Sequence, residues 1–152
     1  MLSYQVEAFG QPLARVLRDT PAPRGCEVLL RVSHCGVCHS DVHLHDGYFL
    51  LGEGSKLDLS RGIALPHTLG HEIAGTVVAL GPQAAGVKVG DVRVAYPWIG
   101  CGQCSVCAGG HEELCPAPRV LGLNRAGGFA DHVLVPDARY LVDPGRLPLA
   151  QA

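Results

Sequence analysis

Four cysteines in the second half of the chain have the spacing of a metal-binding loop. Cys101, Cys104 and Cys107 are each separated by two residues, and Cys115 follows after seven more. Four thiolates around one tetrahedral zinc ion form a closed, structural site. An iron–sulfur centre and disulfides are alternatives, although iron–sulfur runs of this kind place the fourth cysteine after about three residues. The pattern predicts a structural-zinc lobe at about residues 96–118.

A second group of metal-ligating side chains lies earlier in the chain. Cys38 occurs in the segment GVCHSDVH, and His71 and Glu72 occur together in LGHE. Cysteine sulfur and imidazole nitrogen bind zinc, and a site with few protein ligands stays open to water or substrate. Cys38 alone has the ordinary alternative of a buried small apolar residue, and with Cys35 it forms a spacing that in isolation is typical of a redox dithiol. The pairing with His71 favours a catalytic metal site.

The composition is that of a small protein without a strongly charged surface. Its 152 residues, at net charge −2, suit one domain and give no sign of a nucleic-acid, membrane-surface or polyanionic partner. No apolar run approaches the roughly 20 residues of a membrane helix, and no signal-peptide pattern opens the chain. Six of the seven cysteines lie in two groups, which favours metal binding in a reducing compartment, and Cys26 is an incidental thiol. We expect a soluble, cytoplasmic protein.

Short apolar runs separated by glycine and proline predict the fold class. Residues rich in Val, Leu and Ile occupy 3–9, 13–17, 27–34, 73–80, 92–95 and 132–135. The 20 glycines and 11 prolines leave little room for long helices, so we expect a mainly β fold, an all-β barrel with irregular lobes. Two short helices are predicted. One is capped by Ser40 or Asp41 and runs to His45, and the other begins over 147–152.

Several motifs together resemble one enzyme family. The segments GVCHSDVH, LGHEIAG, CGQCSVC with its later cysteine, and GGFADHV follow one another in the order found in zinc-dependent alcohol dehydrogenases of the medium-chain dehydrogenase/reductase superfamily. The resemblance covers essentially the whole chain. It implies a GroES-like β-barrel with a structural-zinc lobe, the N-terminal catalytic domain of an enzyme that interconverts alcohols with aldehydes or ketones. That enzyme uses NAD or NADP and forms homo-oligomers.

The resemblance also implies roles for the potential ligands. Cys38 and His71 match ligands of the catalytic zinc, with Glu72 beside the metal as a second-shell or exchangeable ligand. Asp41 would orient the His71 ring, as carboxylates commonly do for metal-bound imidazoles. The four lobe cysteines match the structural-zinc ligands. Cys35 has no part in the family pattern and is expected to be a buried bystander.

Other matching positions concern the proton path, the cofactor and the substrate. In the family pattern Ser40 takes the proton of the alcohol, and His43 lies at the solvent end of a relay that runs through the cofactor ribose. His39 matches the position that meets the cofactor pyrophosphate. Phe49 and Trp98 match the lining of the substrate pocket, with core aromatics as the alternative. Ser40 also has a plain alternative role as a helix cap.

Two departures from the family limit what this chain can do alone. It contains no G-x-G-x-x-G turn, so we expect the Rossmann cofactor domain to be absent from it. The family's third catalytic ligand, a cysteine, would follow the last residue. We therefore expect a fragment of a longer dehydrogenase with no turnover of its own. The stretch 50–65 is longer than in many relatives, and we expect it to reshape the mouth of the substrate pocket.

Two other functions fit parts of the pattern. In a non-catalytic zinc-binding module both clusters would only stabilise the fold, but such a site has no use for the proton path of Ser40 and His43. An alkene or quinone reductase of the same superfamily is the other alternative. Those relatives usually lack both zinc clusters, so the cysteines favour the alcohol dehydrogenase.

Overall fold

The structure, a computed structural model, describes residues 1–152 and consists mainly of antiparallel strands. The strands are β1 (Leu2–Gln5), β2 (Ala14–Leu17), β3 (Val28–Gly36), β4 (Tyr48–Gly52), β5 (Ser55–Asp58), β6 (Glu72–Leu80), β7 (Val92–Ala95), β8 (His132–Val135) and β9 (Leu141–Val142). The helices are α1 (His39–Asp46) and α2 (Ser105–Ala108), with 3₁₀ turns at Glu112–Leu114 and Ala138–Tyr140. The mainly β class with few short helices is confirmed. Neither helix has the length and apolar character needed to cross a membrane.

The main sheet has five strands in the order β8-β3-β6-β7-β9. Its two long central strands, β3 and β6, have nine residues each and pair antiparallel. Alternate side chains of these strands face one core, where Val28, Leu30, Ile73 and Val77 are fully buried. Burial of an aliphatic side chain of this kind stabilises the fold by about 1.5–3 kcal/mol. These strands form the rigid base on which the candidate site lies.

The hydrogen-bonded strands do not close into the expected barrel. Strands β1–β2 and β4–β5 form separate two-stranded ribbons, and β1 meets the chain before β8 only at the isolated bridge between Ser3 and Ala130. The preceding backbone is bonded elsewhere: Gly127 donates to Thr68 at 2.8 Å and Phe129 donates to Leu69 at 2.9 Å. Because these N–H groups are already paired with residues 68–70, they cannot extend a ladder along β1.

Both predicted helices differ from the expectation. The N-cap of α1 is Cys38, because its backbone is extended and its N–H donates to Asp41 Oδ2 at 3.0 Å, so neither Ser40 nor Asp41 is the cap. Residues 147–152 form only a turn, in which Gln151 N–H donates to the carbonyl oxygen of Pro148 at 2.8 Å.

A β-hairpin that the sequence did not indicate begins at Tyr48 and overlaps the stretch 50–65. Strands β4 and β5 are joined by Glu53 and Gly54, both at positive φ (46° and 80°), as the right-handed twist of a two-residue hairpin requires. The side chains of Leu50, Leu51 and Leu57 are exposed on this ribbon. The chain then returns to a small second core built around Leu44 of α1, formed by Val6, Leu44, Ile63 and Leu69.

Candidate metal centres and substrate cleft

Three side chains from distant parts of the chain converge at one point beside α1. The ligand atoms of Cys38, His71 and Glu72 all lie within 4.8 Å of one another. The antiparallel pairing of β3 with β6 places Gly36 opposite Glu72, and thereby brings the start of α1 beside His71. A thiolate, an imidazole and a carboxylate are zinc donors, so this set fits the metal.

Two glycines allow this close approach. A Cβ atom at Gly36 would lie 2.0 Å from Glu72 Oε2. Gly70 has a φ of +94°, and a Cβ there would lie 2.6 Å from Phe129 and 2.7 Å from Cys35 Sγ. Both the left-handed backbone and the lack of space exclude larger residues immediately before His71.

The carboxylate of Asp41 joins the two halves of this centre. Asp41 is only 2% exposed. Its Oδ2 accepts the Cys38 N–H at 3.0 Å, and its Oδ1 accepts the Gly70 N–H at 3.0 Å. Oδ1 also lies 3.4 Å from Nδ1 of His71. Asp41 therefore faces one ring nitrogen of His71 and leaves Nε2 available to a metal.

The predicted proton-path residues share one side of α1. Ser40 Oγ lies 3.6 Å from Cys38 Sγ. His43 is half-buried, and the centre of its ring lies 4.3 Å from that of His39 and 4.5 Å from that of Phe49. His39 is exposed at the start of the helix. The hydroxyl is thus next to the ligand cluster, and the two imidazoles lie side by side towards solvent.

A cleft of about 480 Å³ opens beside these groups. Ser40 and His71 are its only polar lining residues, and Phe49 and Trp98 both line it. Trp98 is 45% exposed, so it is not a core aromatic. The other lining residues are apolar: Leu44, Leu59, Pro97, Val120, Leu121 and Leu123. Of these, Leu59 comes from the long stretch 50–65 and contributes to the pocket wall, whereas no motif pointed to Leu123.

Cys35 lies on β3 outside the ligand cluster. Its Sγ donates to the Gly36 carbonyl oxygen at 3.7 Å. Burial, reinforced by the negative charge of Asp41, raises the pKa of the Cys35 thiol to about 12. A thiol that stays protonated at neutral pH is a poor nucleophile and redox group.

The four lobe cysteines surround a single point. The distance between Sγ atoms is 3.4 Å for Cys104 and Cys107, 3.9 Å for Cys101 and Cys107, and 3.9 Å for Cys104 and Cys115. Four sulfurs tetrahedrally bound to zinc at about 2.3 Å stand about 3.8 Å apart. All four cysteines are free thiols, and their sulfurs fit one zinc ion.

Backbone N–H groups donate hydrogen bonds to these sulfurs and so favour the thiolate form that binds a cation. Cys101 Sγ accepts a hydrogen bond from the Gln103 N–H at 3.5 Å. This hydrogen bond is the main cause that lowers the Cys101 pKa to about 6. Cys115 Sγ accepts from Cys101 and Ala117 at 3.3 and 3.4 Å. Burial has the opposite effect on Cys107 and raises its pKa to about 12. A dication offsets that penalty when all four sulfurs are ionised.

Glu112 attaches the lobe to the main core, and sequence reasoning missed it. Its Oε2 accepts the Gly100 N–H at 3.2 Å and also the hydroxyl of Tyr140. Its Oε1 lies 3.2 Å from Arg139. The hydrogen bond from Tyr140 is the main cause that lowers the Glu112 pKa. No local signal marks this residue, since its partners lie 12 to 28 positions away.

Several known proteins are similar to this chain in sequence and fold. An NAD-dependent alcohol dehydrogenase of Sulfurisphaera tokodaii is 40% identical over all 152 residues of this chain and 43% of its own length. The crystal structure of an NAD-dependent alcohol dehydrogenase superposes with a TM-score of 0.83 at 32% identity, covering 98% of this chain and 41% of the other. A cobalt- and zinc-bound thermostable alcohol dehydrogenase from Pyrobaculum aerophilum gives 0.79 at 30% identity, covering 98% and 42%.

These comparisons establish the family while covering only part of each relative. The chain spans 43% of the length of the S. tokodaii relative. Residues 24–145 match the family described as the alcohol dehydrogenase GroES-like domain. The resemblance inferred from the motifs is thereby confirmed, and the chain belongs to the alcohol dehydrogenase GroES-like domain family.

Proposed function

We propose that this chain provides the zinc-binding part of a nicotinamide-linked alcohol dehydrogenase. The observation that carries the proposal is the convergence of Cys38, His71 and Glu72 at a cleft that also contains Ser40. A purely structural metal site would have no need of a substrate-sized opening beside it. The lobe cysteines would hold a second zinc ion, which stabilises the fold.

Residues of this chain would bind the metal and carry the proton of the alcohol towards solvent. When bound, zinc acts as a Lewis acid that makes an alcohol hydroxyl easier to deprotonate. Ser40 lies beside Cys38 and would accept the proton of the alcohol. His43, three positions later on the same face of α1, would pass it towards solvent, because a neutral imidazole accepts a proton at one ring nitrogen and donates one from the other. Asp41 would keep the His71 ring in its binding orientation.

The remaining features of the whole protein are part of the same proposal. The substrate would be a small alcohol, aldehyde or ketone, because the cleft is largely apolar and the Ser40 hydroxyl lines it. His39 would meet the pyrophosphate of a nicotinamide cofactor, NAD or NADP, which would supply the hydride-accepting chemistry. The seven free cysteines suit a reducing, cytoplasmic location. We expect the enzyme to be a homo-oligomer.

Metal content tests the two-site proposal. We expect two zinc ions per purified chain, one ion in Cys38→Ala, and loss of the lobe ion in Cys101→Ala. Cys26→Ala is the matched control, because this cysteine is exposed and belongs to neither cluster. A Cys38→Ala variant that retained both ions would contradict the proposal.

Cobalt substitution separates a catalytic site from a structural one. Cobalt(II) at an open site binds an added ligand such as imidazole and changes its visible absorption, whereas a site closed by four thiolates does not. We expect the change in wild type and its loss in Cys38→Ala. An unchanged spectrum on adding imidazole to the wild type would favour the non-catalytic zinc-binding module. The 152-residue chain is expected to show no NAD(P)-linked turnover alone.

A further inference from the structure

A second cavity, of about 320 Å³, lies between the β1–β2 ribbon and strand β8. None of the candidate metal ligands and none of the cleft residues line it. Its polar side chains come from separate parts of the sequence, and the main ones are Ser3, Arg18, Thr68, Arg125 and His132. The cavity is therefore independent of the dehydrogenase site.

Arg125 is the least expected residue of this cavity. It is half-buried, and its guanidinium makes neither a hydrogen bond nor an ion pair with any residue of the chain. Its Nε is buried without a partner. A guanidinium has five N–H donors and is always charged at physiological pH. The Arg125 side chain is partly withdrawn from water and has no counter-ion in the chain, so its guanidinium favours an anionic partner.

Two buried hydroxyl groups line the same cavity. Ser3 is 1% exposed, and its Oγ is buried without a hydrogen-bond partner. Thr68 is 4% exposed, and its Oγ1 accepts a hydrogen bond from Nε2 of Gln5 at 3.0 Å. Because that bond uses an oxygen lone pair, the hydroxyl hydrogen of Thr68 remains available to a ligand. Both residues therefore have unused hydrogen-bonding capacity.

The charged groups around the cavity leave a positive balance. Arg18 is an exposed lining residue, and its side chain makes no ion pair. Asp19 is the acidic lining residue, but it is exposed and lies within ion-pair distance of neither arginine. The carboxylate of Asp131 is occupied, because Oδ1 contacts Nδ1 of His132 at 2.8 Å and Oδ2 accepts the Leu2 N–H.

We propose that this cavity binds a small oxyanion, either a phosphate or a carboxylate group. The planar fork of Arg125 would contact two oxygens, which is the geometry that arginine favours for such anions. The hydroxyls of Ser3 and Thr68 would be the uncharged polar groups of the site, and Arg18 is an exposed cation in the same lining. The ligand would supply the counter-ion that the Arg125 guanidinium lacks.

Calorimetric titration of the zinc-loaded protein with inorganic phosphate, and separately with acetate, tests this proposal at constant ionic strength. We expect saturable binding of one anion per chain. Loss of a charge-assisted contact in Arg125→Gln weakens it by about tenfold or more, and Ser3→Ala weakens it by a smaller factor. Arg146→Gln is the matched control, because Arg146 is an exposed arginine that does not line the cavity.

The outcomes separate the alternatives. Tighter binding of phosphate identifies a phosphate ligand, and tighter binding of acetate identifies a carboxylate. Absence of saturable binding by both anions overturns the proposal, as does wild-type affinity in Arg125→Gln. Zinc content and the melting temperature show whether that variant folds. If Arg125→Gln does not fold, the anion affinity of Ser3→Ala is the deciding measurement. An affinity equal to that of the wild type in Ser3→Ala then overturns the proposal.

Discussion

Replacing Asp41 by asparagine tests whether one carboxylate organises the proposed catalytic metal centre. The residue is 2% exposed, and its carboxylate accepts two backbone N–H groups, from Cys38 and Gly70, at 3.0 Å each. It also faces Nδ1 of His71 at 3.4 Å. Asparagine has nearly the same shape but carries no charge and has only one oxygen. The amide nitrogen of asparagine therefore takes the place of one carboxylate oxygen. It then faces a backbone N–H group, with which it cannot form a hydrogen bond.

The expected loss follows from these contacts. A hydrogen bond to a charged acceptor contributes about 1.5–3 kcal/mol, and an orphaned buried N–H adds its own desolvation penalty. We expect Asp41→Asn to lower the free energy of unfolding by about 2–4 kcal/mol. Loss of the group that orients a metal-bound imidazole weakens metal affinity by about 10–100-fold. The lobe zinc, bound through other residues, should be retained.

Competition with a chromophoric chelator measures affinity at both metal sites, and urea unfolding of the zinc-loaded protein measures stability. Asp46→Asn is the matched control within α1, because the Asp46 carboxylate contacts His45 and none of the ligands. We expect wild-type metal affinity in this control. Wild-type affinity at the Cys38 site in Asp41→Asn would refute the positioning role of Asp41.

Three further predictions concern separate parts of the fold. The hydrogen bond to Asp46 raises the His45 pKa. The stabilisation from this hydrogen bond is therefore complete below about pH 6.5 and declines as the pH rises through the raised pKa. The difference in unfolding free energy between wild type and His45→Gln should shrink accordingly. Gly70→Ala should lose about 2–4 kcal/mol in urea unfolding, because it combines a positive φ with a 2.6 Å contact. Glu112→Gln should release the lobe zinc to a chelator faster, with the Cys38 site unchanged.

Each of these predictions has a control or a contradicting result. Gly52→Ala separates backbone strain from crowding, because Gly52 has a similar φ of +90° with no atom within 4 Å of an added Cβ. Equal losses at Gly52 and Gly70 would contradict the packing argument. A pH-independent difference for His45→Gln would contradict the hydrogen-bond assignment. Unchanged zinc release in Glu112→Gln would show that Glu112 does not hold the lobe.

Elements with local causes were predicted well from the sequence. The expected strands 92–95 and 132–135 have the observed bounds, and 73–80 differs from β6 by one residue. Apolar runs bounded by glycine and proline specify such strands without reference to the rest of the fold. The lobe cysteines were also recognisable, because all of them lie within 15 consecutive residues. Their spacing alone limits the sulfurs to one small volume.

Features that depend on distant partners were not predicted. The cap of α1 is Cys38 rather than Ser40 or Asp41. The Asp41 carboxylate accepts the Cys38 N–H and also the N–H of Gly70, which lies 29 positions after Asp41 in the chain. The expected barrel stays open because residues 127–129 bond to 68–70. Propensity and spacing carry no information on which of two competing partners a backbone group finds.

The sequence by itself therefore determined the mainly β class, the family and the two sets of candidate metal ligands, because residue types and short spacings specify these. Only the tertiary structure decided that Cys38, His71 and Glu72 meet beside an apolar cleft, and that Arg125 lies without a partner in a second cavity. Both arrangements arise where strands and loops far apart in sequence pack together. The burial and charge of a side chain there depend on the whole fold, since neighbours along the chain do not set them.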